Sequence, residues 1–168
     1  MSALSVDLVL EDEEWLNAIP DAEGIAERAA LAAYAALSEP QAGAAMVMVA
    51  LADDATLQEL NRDWRGKDRP TNVLSFPSGE PMAPDGPIFL GDVILARQTL
   101  LREAEEQGKP AASHLAHLVV HGILHLMGWD HETPEEAEEM EAREREILLG
   151  FGIPDPYLIG AHNPDGQR

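Results

Sequence analysis

Three histidines in the C-terminal part of the chain have types and spacing that can do chemistry. His121-Gly-Ile-Leu-His125-Leu-Met-Gly128-Trp-Asp-His131 has the form H-x-x-x-H-x-x-G-x-x-H. Two histidines four apart stack on one face of a helix, one turn above the other. Gly128 can take the left-handed conformation that ends a helix and turns the chain back. That turn would bring His131 to the same point in space. Three imidazoles converging on one point are the protein ligands of a catalytic zinc site, whose fourth position is left to water. The spacing predicts one Zn²⁺ per chain, held by His121, His125 and His131, in a metal-dependent hydrolase.

The neighbouring histidines need a separate account. At about 100° per residue, His114, His117, His121 and His125 fall within an arc of roughly 80° on one helix. The other positions from Leu115 to Met127 are apolar or small, and a helix apolar all round is a buried one. Imidazoles in such a helix must find partners, because unpaired polar groups are costly in a core. His117, one turn before His121, has two readings: a partner or base of the metal site, or a packed or surface histidine. His114 is expected near the helix start and exposed. His162 falls in the tail and needs no role.

One departure narrows the chemistry. In zinc peptidases the residue after the first histidine is a glutamate that acts as general base; here it is Gly122. Zinc can still lower the pKa of bound water and polarise an electrophile. A phosphodiester fits such a site, because its transition state needs positive charge around the non-bridging oxygens. That charge has a source. Of 11 Lys and Arg residues, Arg62, Arg65, Lys67 and Arg69 lie close together. Arginine offers a planar, bidentate donor for phosphate, and Trp64 could stack on a base. The alternative is that Arg65 and Arg69 pair with Asp68 and Asp63, and that Trp64 belongs to the core. Asp130 or Asp92 could orient a ligand imidazole through its second nitrogen.

These segments together resemble the YbeY family of bacterial endoribonucleases. His121 to His131 matches the family's H-G-x-L-H-L-x-G-[YW]-D-H. Arg65-Gly-Lys-Asp-Arg-Pro-Thr-Asn-Val-Leu-Ser-Phe matches its R-x-K-D-x-P-T-[DN]-V-L-S-F, and Gly91-Asp92-Val93-Ile94 resembles its G-D-I-x-I strand. The resemblance spans about residues 45–155. It implies zinc ligation by His121, His125 and His131, with His121 and Arg65 as catalytic residues. It also implies a single-stranded RNA substrate, with action on the 16S rRNA 3′ end and in ribosome quality control. The small ribosomal subunit or its maturation factors would then be partners, DNA would not be a substrate, and the location would be cytoplasmic. The rival readings are a non-catalytic assembly factor with a structural zinc, and a metalloprotease that draws a base from Glu132 or Asp130.

The remaining sequence must position these groups. With 168 residues and 45% hydrophobic content, the chain suits one folded domain. The net charge of −20 argues against a simple nucleic-acid binder, and leaves the Arg62–Arg69 strip as a local basic patch. There is no cysteine, so no thiolate ligand. No apolar run reaches the roughly 18 residues of a membrane span, and no secretory signal is visible. Alternation and short apolar runs predict strands over 4–10, 45–51, 73–76 and 88–94. Helices are expected from Asp21 to Leu37, from Asp54 or Thr56 to Trp64, and over 95–107 and 111–127. A further helix from Pro134 follows a Thr133/Glu136 capping box. Residues 65–72 and Pro77–Pro87 read as loops. The expected fold class is α/β (α+β): a single domain over 1–157 with a small mixed sheet of about four strands, about five helices and a metalloprotease-like zinc helix. Residues 158–168 are expected to form a frayed tail.

Overall fold

Four strands and six helices make up the computed structural model, which describes residues 3–38, 43–130 and 132–150. The order is β1 (Ala3–Leu10), α1 (Glu14–Ala18), α2 (Ala22–Leu37), β2 (Ala44–Ala52), α3 (Asp54–Arg65), β3 (Val73–Pro81), β4 (Ile88–Ala96), α4 (Arg97–Gln107), α5 (Ala111–Leu126) and α6 (Pro134–Gly150). The sheet order is β1-β2-β4-β3. β1, β2 and β4 run parallel, and β3 is the antiparallel edge strand. The expected mixed four-stranded sheet in one α+β unit is therefore present. The expected tail at 158–168 and His162 lie outside the described residues.

Period-two alternation assigns each strand residue to a layer. Val93 and Leu95 join the main core with Leu115, Val119 and Ile123 of α5 and the alanines of α2. Leu74, Phe76, Ile94 and Ala96 point the other way, onto Leu57 and Leu60 of α3. The sheet thus lies between α3 on one face and α2 with α5 on the other. Among the described residues, no helix is long and apolar enough to cross a membrane.

The structure departs from the expectation in two details. Among the described residues there are six helices where about five were expected, the addition being α1, a single short turn. Its Trp15 is fully buried, and the indole N–H donates to the Ala52 carbonyl at 2.7 Å, so tertiary packing rather than propensity forms this helix. β3 also runs on to Pro81, where a loop was expected from Pro77. Prolines are tolerated there because an edge strand pairs on one side only. The register shifts between Pro77 and Glu80. Opposite the shift, Gly91 has φ +138°, and a side chain on it would run into the Phe76 carbonyl.

Local signals at the helix ends were clearer. Asp53 caps α3 by accepting the Thr56 N–H at 2.9 Å. Thr133 and Glu136 form the reciprocal capping box at 3.1 and 3.3 Å. Asp21 makes no cap bond, and its carboxylate instead takes Arg28 at 3.0 Å.

Candidate metal centre and active-site cleft

α5 crosses the core with most of its side chains buried, so packing fixes the direction of its histidines. Gly122 lets the helix lie this close to the sheet. A Cβ on it would stand 2.7 Å from Val93 Cγ1 and 3.2 Å from Ser75 Oγ. The space of the peptidase glutamate is therefore filled by β3 and β4. Gly122→Ala is expected to lower stability by about 1–3 kcal/mol through overpacking, although alanine is the better helix former by about 1 kcal/mol. Chemical denaturation of the variant checks this; an equal or higher midpoint would mean that Val93 yields freely.

The two motif histidines are brought together. His121 Nε2 and His125 Nε2 lie 3.0 Å apart, and each ring's other nitrogen is engaged. His125 Nδ1 donates to the Trp129 carbonyl at 3.0 Å. This carbonyl is presented because Gly128, at φ +98°, turns the chain back after α5 as its position predicted. His121 Nδ1 lies 2.6 Å from Glu144 Oε2, and His117 Nε2 lies 2.9 Å from Glu144 Oε1. Burial would push the Glu144 carboxyl up, but hydrogen bonds from His117 and His121 outweigh it and bring it down to about 2. Glu144 is thus a carboxylate that only accepts.

The tautomers follow from these partners. A carbonyl and a carboxylate both accept, so His125 Nδ1 and His121 Nδ1 both carry protons. In the neutral rings each Nε2 is then a bare lone pair. Two lone pairs held 3.0 Å apart repel unless a proton or a cation lies between them. Nitrogen ligands at about 2.0–2.1 Å on a tetrahedral zinc would stand about 3.3 Å apart. The donor chemistry and the spacing therefore fit a divalent metal. Among the described residues no further His, Asp or Glu completes a three-ligand cluster, and His131 lies outside those residues. Asp130 and Glu132, its chain neighbours, both line the cleft that holds the two imidazoles.

Several sequence readings change here. Among the described residues the carboxylate that meets His121 is Glu144, which the sequence reading did not single out, and Asp92 meets neither His121 nor His125. Strand alternation puts Asp92 in the layer of Ile94 and Ala96, on the α3 face of the sheet away from α5, where burial pushes its carboxyl up. His114 is buried rather than exposed, with Nε2 2.8 Å from Glu103 Oε1. His117 shares the Glu144 carboxylate with His121, one oxygen to each ring. Glu144 itself went unnoticed within the charged α6. Its signal was its place between Met140 and Ile147–Leu148, on the buried stripe of that helix.

The cleft has a volume of about 570 Å³ and opens between the end of α3, the edge strand β3 and the end of α5. Arg65, the last residue of α3, contributes to its wall. The sequence alternative for Arg65 fails: Asp63 pairs with Arg62 at 3.0 Å and Asp68 accepts from Gln58 at 2.9 Å. Arg65 has no ion pair among the described residues. Trp64 is not core either. It is 71% exposed and meets Phe76 edge-on, with ring centroids 6.3 Å apart.

Comparison with known proteins gives a consistent result. The family model described as "Endoribonuclease YbeY" matches residues 11–152. A relative of that name from Azorhizobium caulinodans is 54% identical over 160 residues, covering 94% of this chain and 99% of the relative. Another of the same name, from Paramagnetospirillum magneticum, is 54% identical over 147 residues, covering 85% and 89%. A solution structure of a Thermotoga maritima protein aligns over 88% of this chain and 92% of its own, with 25% identity and a TM-score of 0.48. With the family model spanning most of its length and relatives matched nearly end to end, the chain belongs to the YbeY family.

Proposed function

We propose that this chain is a zinc-dependent endoribonuclease that cleaves single-stranded RNA, acting at the 16S rRNA 3′ end and in ribosome quality control in the cytoplasm. One observation carries the reading: two imidazole lone pairs converge at 3.0 Å in the same cleft as an arginine with no ion pair among the described residues. The names of the 54% identical relatives support RNA as the substrate. In this reading His131 is the third ligand, joining His121 and His125. The small ribosomal subunit or its maturation factors are the partners that bring RNA to a strongly acidic chain.

The residues divide the work. A bound divalent cation supplies Lewis acidity toward a phosphodiester oxygen. His121 and His125 hold it through Nε2, and Glu144 and the Trp129 carbonyl keep both rings in the ligating tautomer. The Arg65 guanidinium grips the phosphate and stabilises the charge that develops on it. Asp130 and Glu132 line the same cleft and offer carboxylate oxygens for the proton of the attacking hydroxyl. Gly122 offers none, which weighs against peptide hydrolysis by the usual zinc-peptidase route.

Arg65→Ala is expected to leave zinc content and melting temperature unchanged while lowering the cleavage rate about 10²–10³-fold, the scale of losing one transition-state donor. Wild-type rates in that variant would make Arg65 an ordinary helix-terminal residue. The function itself is tested by incubating end-labelled single-stranded RNA with the purified protein, beside His121→Ala purified identically. Cleavage by the wild type alone supports the reading. Equal cleavage by both points to a contaminating ribonuclease, and cleavage by neither favours a non-catalytic assembly factor.

A further inference from the structure

Asn72 lines the cleft just before β3 begins. Its Nδ2 donates to Glu103 Oε1 on α4 at 2.9 Å, and His114 Nε2 on α5 meets the same oxygen at 2.8 Å. The buried His114 is not part of the metal centre, so this chain of contacts runs from the core to a second point on the cleft wall. Burial would raise the Glu103 carboxyl, but the hydrogen bonds from His114 and Asn72 bring it below the ordinary range. Burial lowers His114 and favours its neutral form. Glu103 is therefore an acceptor with no proton to give, and Asn72 must turn its amide nitrogen toward it.

That constraint decides what Asn72 shows the cleft. What is left over is the second Nδ2 proton and the amide oxygen Oδ1, the side chain's acceptor, which has no hydrogen-bond partner among the described residues. The backbone is tied at its carbonyl, which accepts the Ala96 N–H at 3.0 Å, and the side chain is tied at Nδ2 by Glu103. Oδ1 is thus a fixed, neutral acceptor. Unlike Asp130 and Glu132 it accepts a donor without repelling a polyanion. Arg65, which lines the same cleft, offers only donors, which suit phosphate. On an RNA chain gripped there, the donors within reach are the ribose 2′-hydroxyl and the base amines. The ribose is bonded directly to the phosphate and carries its hydroxyl at every nucleotide, and this hydroxyl is also the group that separates RNA from DNA.

We propose that Asn72 is a substrate-positioning residue that accepts a hydrogen bond from an RNA 2′-hydroxyl, held in that orientation by Glu103 and His114. The inference rests on the nuclease reading above. Its test compares the zinc-loaded wild type, Asn72→Ala and Asn72→Asp on one RNA oligonucleotide and on copies carrying a single 2′-deoxy nucleotide at successive positions flanking the cut. In the wild type one position should lower kcat/KM roughly 2- to 10-fold, the scale of one hydrogen bond. Asn72→Ala should lose that sensitivity at that position alone, and Asn72→Asp, which has no donor to hold it against Glu103, should lose it too. If Asn72→Ala is misfolded, a wild-type deoxy penalty kept by folded Asn72→Asp overturns the proposal. Equal deoxy penalties in wild type and Asn72→Ala also overturn it while leaving the nuclease reading intact. A coupling that appears on deleting a base amine instead would place the contact on the base and refute the ribose assignment. Failure of the wild type to cleave the all-RNA substrate would bring down both readings.

Discussion

His125→Ala should strip the chain of tightly held zinc and, with it, RNA cleavage, while the fold survives. His125 is only half-buried and sits at the last turn of α5, so its removal opens little of the core. It does remove one of two lone pairs that are held 3.0 Å apart with their other nitrogens already committed. His121 alone then faces the cleft from this helix, and with the proposed His131 it makes two imidazoles where a catalytic zinc site uses three protein ligands, too few to hold zinc against dialysis. We expect metal content after dialysis to fall from about one equivalent per chain to a small fraction of that. The cleavage rate should drop by at least about 10²-fold, with circular dichroism unchanged. A folded His125→Ala chain that keeps a full equivalent of zinc would overturn the ligand assignment, whatever its activity.

Glu144→Gln should have the second-largest effect, and it separates orientation from ligation because Glu144 is not itself a ligand. Glu144 is completely buried, and its two oxygens serve His121 and His117. Glutamine keeps the shape but turns one of those acceptors into a donor. If the new amide faces His121, that ring must shift its proton to Nε2, and the metal-facing lone pair is lost. If it faces His117, that ring must accept at Nε2 and carry its proton on the buried Nδ1 instead. We expect zinc affinity to fall about 10- to 100-fold, as for other groups that orient a metal-ligating histidine. Stability should fall by about 1–3 kcal/mol from the unsatisfied buried group. Competition with a chelator of known affinity reads the first and chemical denaturation the second. Unchanged zinc affinity would reduce Glu144 to a purely structural role.

The same carboxylate sets an acid limit. Its value in the fold is about 2, against an ordinary 4.5, so its charged form favours the folded state. That contribution is fully present above about pH 4.5 and is lost as the pH falls toward 2. It is worth on the order of 3 kcal/mol. Glu144→Gln should flatten this part of the stability–pH curve measured on the metal-free protein.

Much of the site was legible because it lies within one helix and the turn that follows. The spacing of His121 and His125 fixes a shared helix face whatever surrounds it, and Gly128 was readable as the left-handed residue that ends α5. The replacement of a peptidase glutamate by Gly122 was equally plain, although its reason was not: only the approach of Val93 and Ser75 shows why no side chain fits. Four strands were placed by alternation and apolar runs. The end of β3 was missed because proline reads as a loop signal until the strand is known to lie at an edge.

What the sequence determined by itself is the set of groups whose geometry is local: the paired imidazoles, the turn, the basic strip around Arg65 and membership of a motif-bearing family. What only the tertiary structure decided is who partners whom across the chain. Glu144 is 23 residues from His121, and Glu103 is 31 from Asn72. Such pairs depend on which faces of α4, α5 and α6 meet, and no periodicity within one element encodes that. The exposure of Trp64 and the burial of His114 were set in the same way. Both residues have a polar edge and an apolar body, so the packing of neighbouring elements, not residue type, decided which one reached solvent.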